Sequence, residues 1–562
     1  MTGKRLKVLI IGGYGMFGGR LTRLLSSESR VEVLVAGRSL SKATDFCQSI
    51  SGPARLTPTR LDRNKAVADR IAELGPDMVV DASGPWQSYG SHPYQVARAA
   101  IRNSAHYLDI ADDRTFVLGI TELDAEAKRH GVAVLSGAST CPALSGAVSR
   151  QLSSGLNRVH SLTGGIAPSP FVPMGRSVIE AIAGYAGKSL AVWKGGSPGT
   201  ATALVSSRDF TIAPPGTIPL PRLRFSLVDV PDLDALRMQS VPVDSVWFGV
   251  ATRPAIFQRG LRWLATGVNR GWIRSLSALA PSMQWVTNRL SWGEHRGGMY
   301  MRVVGENHAG RIEDRSWHLV AAGDSGPCIP LLASVVVIRR ILNGTSPSAG
   351  ARAAIAEFAL DDFQPLFDAL DIETGQKRSD SPPEAPLFEK ILGDAWDQLP
   401  SPVREAHQVK GEHVLEGNGK VLRGKTLLSR IIARVFGFPT RAGNASIRVR
   451  MRRSKDVETW RRDFDGHRFS SSLLAGKGKT EGLIIERFGP VAIAMALSVD
   501  GRVLRYTPRH WSFAGIPLPP ALLPRGDMFE TVEDGRFRFH VNVRLPVAGR
   551  VVTYEGFLQP AA

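Results

Sequence analysis

Lys7-Val-Leu-Ile-Ile-Gly-Gly-Tyr-Gly-Met-Phe-Gly-Gly19 lies almost at the start of the chain, and its reading decides the fold. Residues 8–11 form an apolar run long enough for one buried parallel strand. The run breaks into Gly13-x-Gly15-x-x-Gly18, after which residues 20–25 continue at helical spacing. Strand, glycine turn and helix in that order form a dinucleotide-binding fingerprint. Gly13 permits the tight turn. Gly15, lacking a Cβ, lets the backbone approach a pyrophosphate, and Gly18 lets the helix pack closely on the strand. The helix N-terminus offers free N–H groups and a positive dipole end to phosphates. Gly12, Met16 and Phe17 complete the expected phosphate-binding turn. A glycine turn of purely steric origin is the plain alternative.

A second strand, residues 31–36, ends in Gly37-Arg38-Ser39. NAD sites usually place Asp or Glu about 20 residues past the glycines, where it accepts from the ribose 2′-OH. Here that place holds Gly37 and Arg38, with Ser39 next and Lys42 one turn further on. A guanidinium suits a 2′-phosphate through a charge-assisted fork and stacking on the adenine. The expected cofactor is therefore NADP(H), with NAD(H) the less favoured choice. The plainer reading is a solvated Arg38, with Ser39 and Lys42 as ordinary N-cap and surface residues.

A chain of 562 residues exceeds what one core usually supports, so two or three domains are expected. Cys47, Cys141 and Cys328 lie far apart, which gives neither a disulfide framework nor zinc spacing and fits a reducing cytoplasm. The histidines form no H-x-x-x-H or other ligand pair, so no metal site is expected. No window approaches the roughly 20 apolar residues of a membrane span. The net charge of +19 raises nucleic acid, anionic membrane and acidic substrate as partners. No zinc-finger spacing or RNP motif supports nucleic acid, and a small-molecule substrate is expected instead.

Residues 1–145 alternate strand and helix. A strand over 77–82 opens into Ser83-Gly84-Pro85-Trp86 at the carboxyl end of a parallel strand, where doubly wound sheets bind ligands. This turn is expected beside the pyrophosphate or nicotinamide ribose, although Gly-Pro is also a plain turn signal. A later strand, 132–135, runs into Ser139, Thr140 and Cys141. No His partner accompanies Cys141, which reads as a structural thiol rather than a nucleophile.

Gly13-Tyr-Gly-Met-Phe-Gly18, Ala36-Gly-Arg38, Val79-Val-Asp-Ala-Ser-Gly-Pro85, Tyr89-Gly90, His106-Tyr-Leu-Asp109 and Gly131-Val132 together resemble the saccharopine dehydrogenase-like oxidoreductases. The resemblance implies a Rossmann domain to which the chain returns after a middle domain. That middle domain is an antiparallel sheet closing over the nicotinamide and often pairing subunits, so a homodimer is one expectation. The return is read at 329–344. No compact Arg/Lys/His/Glu set clamps two amino-acid carboxylates, which points to another carbonyl or imine substrate. Tyr89, His92 and Asp112 are candidate proton donors by position.

Residues 256–292 alternate Trp263, Trp272, Trp285 and Trp292 with arginines and leucines, and no acidic residue lies between Asp244 and Glu294. The favoured reading is a lid packing its tryptophans on the substrate domain, with Arg in water. The second is peripheral membrane contact. Either makes an apolar substrate plausible.

Beyond a polar, proline-bearing linker at 373–386 come helices over 387–399 and 403–407. Strands follow over 446–451, 483–488, 492–499, 536–543 and 550–558, which predicts an antiparallel meander. This part resembles a bacterial domain of unknown function found fused behind saccharopine dehydrogenase-like proteins. Leu387-Phe-Glu389, Leu399-Pro400, Trp460-Arg-Arg-Asp-Phe464, Phe469-Ser470, Glu486-Arg-Phe-Gly489, Pro517-Leu-Pro519 and Tyr554-Glu-Gly556 carry that likeness. Trp460, Arg461, Glu486 and Tyr554 either line a pocket inside a curved sheet or fill its core.

The expected architecture is α/β. A Rossmann doubly wound parallel sheet occupies 1–148 and an α+β substrate and dimerisation domain 149–328. A helical return occupies 329–372, and after the linker a β-rich α+β domain occupies 387–562. The expected activity is NADP(H)-dependent hydride transfer in the cytoplasm, with possible membrane association through 256–292. The alternative is a non-catalytic NADP-binding protein whose C-terminal domain holds a lipid or protein partner.

Overall fold

The computed structural model describes residues 4–561 apart from 174, 240, 290–291, 309, 311, 379–384, 410–411, 440 and 455. The chain divides into two compact units. Residues 1–208, 224–317 and 321–372 form the first, and 209–223, 318–320 and 373–562 the second.

In the first unit, β1 (Leu6–Ile11) leads through the glycine turn into α1 (Gly18–Leu25). Strands β2 (Val31–Gly37), β3 (Arg55–Arg60), β4 (Met78–Asp81), β5 (His106–Asp109) and β6 (Ala133–Ser136) follow, with α2 (Leu40–Gln48) and α3 (Val67–Leu74) among the intervening helices. The strands lie in the order β6-β5-β4-β1-β2-β3 and pair in parallel. Helices cover both faces, so Val8, Leu9 and Ile10 are fully buried and β1 reads as a continuous apolar run. The doubly wound fold is as expected. The chain does return to this sheet. Helix Leu332–Leu342 buries residues 332–338, and strand Gly350–Ala353 then pairs in parallel with β6. Four residues of Gly-Ala-Arg-Ala carry no strand signature, which is why the return reads as helix alone.

The sheet of the middle region is mixed rather than antiparallel. Its strand Leu156–Ala167 pairs in parallel with Val246–Val250 and antiparallel with Arg296–Asn307. Residues 203–206 form a turn between Ser197–Thr202 and Ser207–Phe210. Leu204 takes a left-handed φ of +61° there and breaks the extended run.

Segment 256–292 contains helices Ala255–Asn269 and Ala280–Arg289, with 290–291 outside the described residues. Its tryptophans are not packed on the substrate region as the favoured reading expected. Trp263, Trp272, Trp285 and Trp292 are 70, 68, 63 and 52% exposed. The first helix instead buries small Ala265 and Gly267, together with Gln258, whose amide accepts from the Thr252 N–H at 2.8 Å and donates to Ser226 Oγ at 2.6 Å, and the indoles are left outside. Among the described residues, no helix is long and apolar enough to cross a membrane.

Residues 373–378 of the expected linker lie in a strand, Ile372–Arg378, while 379–384 lie outside the described residues. Helices Leu387–Leu392 and Ser401–His407 precede an antiparallel β-structure. Its first strand, Glu412–Arg423, pairs with its last, Gly549–Pro560, and Val491–Asp500 pairs with Val503–Phe513. The expected meander is thus a closed barrel, of ten strands among the described residues, with the two-residue strand Ile516–Pro517 attached to its wall. Closure removes the exposed edges that an open meander would leave. Strands such as Val457–Phe464, His467–Ala475 and Met528–Glu533 went unread for a physical reason. Their inward positions include Arg462, Ser471 and Glu530, which interrupt the apolar alternation.

Candidate nucleotide site

At the end of β1 the chain turns at Gly12, whose φ is +80° and whose missing Cβ would sit 2.9 Å from the Ala82 carbonyl oxygen. The tight turn therefore belongs to Gly12 rather than Gly13. Gly13 serves packing: a Cβ there would meet the Ile10 carbonyl oxygen at 2.9 Å and Val35 at 3.1 Å. Gly18 lets α1 close on the turn, since its Cβ would fall 2.3 Å from the Gly12 carbonyl oxygen. Gly15 differs. A Cβ there would have only the Gly12 carbonyl oxygen nearby, at 3.1 Å, and otherwise open space. Thr22 Oγ1 donates to the carbonyls of Gly13 and Gly18, both at 2.9 Å, and pins the helix to the turn. Among the described residues no side chain caps the start of α1; the Gly19 N–H donates to the Gly15 carbonyl at 2.9 Å and the Leu21 N–H to the Phe17 carbonyl at 3.0 Å, and the positive dipole end of the helix meets the turn.

A cleft of about 710 Å³ opens over the carboxyl ends of the strands, across the switch point where β1 lies between β4 and β2. Gly12, Gly15, Met16, Phe17, Arg38, Ser83, Gly84, Pro85 and Trp86 all line it. Gly13 and Gly18 shape the turn beneath. Ser39 and Lys42 do not line it: Ser39 N-caps α2, its Oγ accepting from the Lys42 N–H at 3.3 Å, and Lys42 is exposed.

The proton-donor candidates separate. Asp112 lines the cleft, accepts from Gln87 Nε2 at 3.2 Å, and is pushed up by burial. Tyr89 lies behind the wall, its Oη 3.0 Å from Ser83 Oγ and 3.3 Å from Asp81 Oδ2. Burial and then the Asp81 charge drive its phenol upward. His92 is exposed and does not line the cleft.

The sequence reading missed Arg63. It follows β3, whose Arg-Leu-Thr-Pro-Thr-Arg lacks an apolar run, so neither strand nor loop announced itself. Its guanidinium lies 3.1 Å over the Tyr89 ring, and its Nε and Nη2 have no hydrogen-bond partner. Trp86 Nε1 is likewise unpartnered. Buried donors without acceptors, beside a glycine turn open at Gly15, fit a nicotinamide dinucleotide: they await oxygen atoms that the chain does not supply.

Two carboxylates shape the loops around the cleft. Asp81 and Asp109 lie in register at the ends of β4 and β5. Asp81 accepts from Ser83 N at 3.0 Å. Asp109 accepts from Gly137 N at 2.7 Å, Ala111 N at 3.0 Å and Ser136 Oγ at 3.0 Å, and burial nonetheless pushes it up to about 7. Cys141 lines the cleft as a buried thiol raised by burial and by nearby Asp232. Asp232 is itself fully buried and pushed up to about 7, its oxygens beside Ser145 and Cys141 but outside hydrogen-bond geometry. Among the described residues, no group of three His, Cys, Asp or Glu could hold a metal ion.

Residues 8–135 match the family described as saccharopine dehydrogenase NADP binding domain, and residues 399–558 match a domain of unknown function, DUF4166. A search of curated proteins gave no match. Among solved structures, apo saccharopine dehydrogenase (L-Glu forming) from Saccharomyces cerevisiae is similar at 15% identity and a TM-score of 0.47. The match covers 66% of this chain and 99% of that one. Myo-inositol 2-dehydrogenase from Lactobacillus plantarum is similar at 11% identity and a TM-score of 0.29, over 64% of this chain and 93% of that one. The WlbA (WbpB) dehydrogenase from Thermus thermophilus, in complex with NAD and UDP-GlcNAcA, is similar at 12% identity and a TM-score of 0.29, over 63% and 90%. The chain thus joins a nicotinamide-nucleotide-binding domain of the saccharopine dehydrogenase type, the mark of an oxidoreductase, to a domain of unknown function.

Proposed function

We propose that this protein is an NADP(H)-dependent oxidoreductase that moves hydride to or from the carbonyl or imine carbon of an apolar substrate. Arg38 carries the reading. It lines the cleft at the end of β2, in no ion pair among the described residues, where an NAD site would place a carboxylate. Arg63 adds a second guanidinium with unused donors. NADPH, when bound, supplies the hydride. The turn from Gly12 to Phe17 holds its diphosphate, and Ser83–Trp86 with Ser139–Cys141 flank the reacting end. Ile166, Val178, Val230 and Pro330 line the cleft and favour an apolar substrate. In the reductive direction the Asp112 carboxyl, held by Gln87 and kept protonated to higher pH by burial, gives its proton to the carbonyl oxygen or imine nitrogen.

The test has two steps. Arg38→Ala should weaken NADPH binding more than NADH binding in fluorescence titrations, and equal weakening removes the 2′-phosphate argument. The parent protein should then consume NADPH with a member of a panel of aldehydes, ketones and imines. Binding without turnover across the panel would leave the non-catalytic reading. We further infer a peripheral contact with anionic membrane through 256–292, supported by its four exposed indoles and its lack of acidic residues.

A further inference from the structure

The C-terminal barrel is not filled. Its interior contains a cavity of about 90 Å³ and a second of about 50 Å³, and Glu486, Met495, Met528, Val541 and Tyr554 line both. The second lies under Ile432 and Phe436, at the helix Leu427–Val435 and the residue that follows it. The larger has more than half the roughly 150 Å³ of an apolar cavity that holds benzene, and the smaller adjoins it along the five shared residues. The two shared methionines are unbranched and can yield further to a guest. Small barrels of comparable strand number either pack their interiors or enclose one small ligand.

The walls are mainly apolar: Leu415, Trp460, Phe464, Phe537 and Phe539 face the larger cavity. Its charges are already matched. Arg462 Nη2 binds Glu486 Oε1 at 3.0 Å, and Ser471 Oγ bridges the pair, 2.8 Å from Arg462 Nη1 and 2.6 Å from Glu486 Oε1. His407 Nε2 is hydrogen-bonded to Glu530 Oε2. Among the described residues, the Tyr506 hydroxyl and His407 Nδ1 are lining atoms shut off from solvent and without a partner. Tyr506 Oη lies near the Glu530 carboxylate but outside hydrogen-bond geometry. Arg461, by contrast, faces outward, because alternation along Val457–Phe464 turns 460, 462 and 464 inward.

We propose that the barrel interior binds a small, largely apolar molecule bearing one uncharged oxygen, a hydroxyl or carbonyl that accepts from Tyr506. An anion is disfavoured, since Glu486 and Glu530 both face the larger cavity and its guanidinium, Arg462, is engaged, while Arg525 beside the smaller cavity is exposed to water. An oxygen-free hydrocarbon would leave the tyrosine hydroxyl unpaired. This site is separate from the nucleotide cleft and does not rest on the redox reading.

The test is calorimetric titration of the full chain, without nucleotide, with benzyl alcohol, toluene and benzoate. Benzyl alcohol should bind saturably at one site per chain, and benzoate more weakly. Tyr506→Phe, which keeps the ring, should weaken benzyl alcohol about tenfold and leave toluene unchanged. Met528→Trp should fill the chamber and abolish binding of both, with the circular dichroism spectrum and thermal melt of each variant reporting an intact barrel. No binding of benzyl alcohol, benzoate binding tighter than the alcohol, or benzyl alcohol affinity unaltered by Tyr506→Phe would each overturn the proposal.

Discussion

The Tyr14 hydroxyl accepts a hydrogen bond from the Ser39 N–H at 3.0 Å and so ties the glycine turn after β1 to the start of α2. The Tyr14 ring fills the space beside Gly37, where a Cβ would come within 2.3 Å of it. One side chain thereby sets the distance between the diphosphate turn and Arg38. Tyr14→Phe should cost about 1 kcal/mol of stability and weaken NADPH more than NADH. Gly37→Ala should cost more, about 1–3 kcal/mol, because the ring must move. Thermal melts and paired nucleotide titrations check both.

The fingerprint glycines should fail in different ways. Gly18→Ala drives a methyl into the Gly12 carbonyl, so the nucleotide-free protein should melt lower. At Gly15 the space is nearly open. Gly15→Ala should melt like the parent yet lose NADPH affinity by tenfold or more, because the methyl occupies the diphosphate's place. Equal melting losses in the two variants would contradict this assignment.

Asp112→Asn should keep NADPH binding within about twofold of the parent and lower the rate of reduction by roughly 10²-fold or more. Since burial raises the Asp112 pKa, parent activity in the reductive direction should fall as pH rises through that raised value. The asparagine variant should lose this limb of the pH profile.

Asp232 gives a stability test with a defined sign. Its carboxyl titrates at about 7 in the fold, against about 3.9 in an unfolded chain. Between those values the folded state holds a proton that the unfolded state has released, so stability falls as pH rises from about 4 to about 7. Asp109, also raised to about 7, acts in the same direction. Asp232→Asn removes one of these contributions. Its melting temperature should therefore decline less than the parent's over that interval.

The exposed tryptophans carry the membrane reading. Flotation with anionic vesicles should recover the parent protein, and changing Trp263, Trp272 and Trp285 to Ser should abolish recovery while leaving NADPH binding unaltered. Retention of the triple variant on the vesicles would assign the contact to the arginines and Trp292 rather than to these three indoles.

Much of this was legible in residue order, because its causes are local. An apolar run, a glycine turn and a helical period lie within 20 residues of one another, and the steric freedom of glycine needs no distant partner. The Rossmann unit, the absent carboxylate after β2 and the turn at Ser83 that lines the cleft all followed. Other features required partners far apart in the chain. The strain of the turn fell on Gly12 because of Ala82, some seventy residues away. Arg63 joined the cleft through a strand with no apolar signature, and Asp232 came beside Cys141 only through the middle region. Alternation alone predicted strands in the C-terminal part, yet barrel closure depends on pairing Glu412–Arg423 with Gly549–Pro560 across the whole domain. That register turned Arg462 inward and Arg461 out, a choice that a period of two leaves open until a neighbouring strand defines the inside.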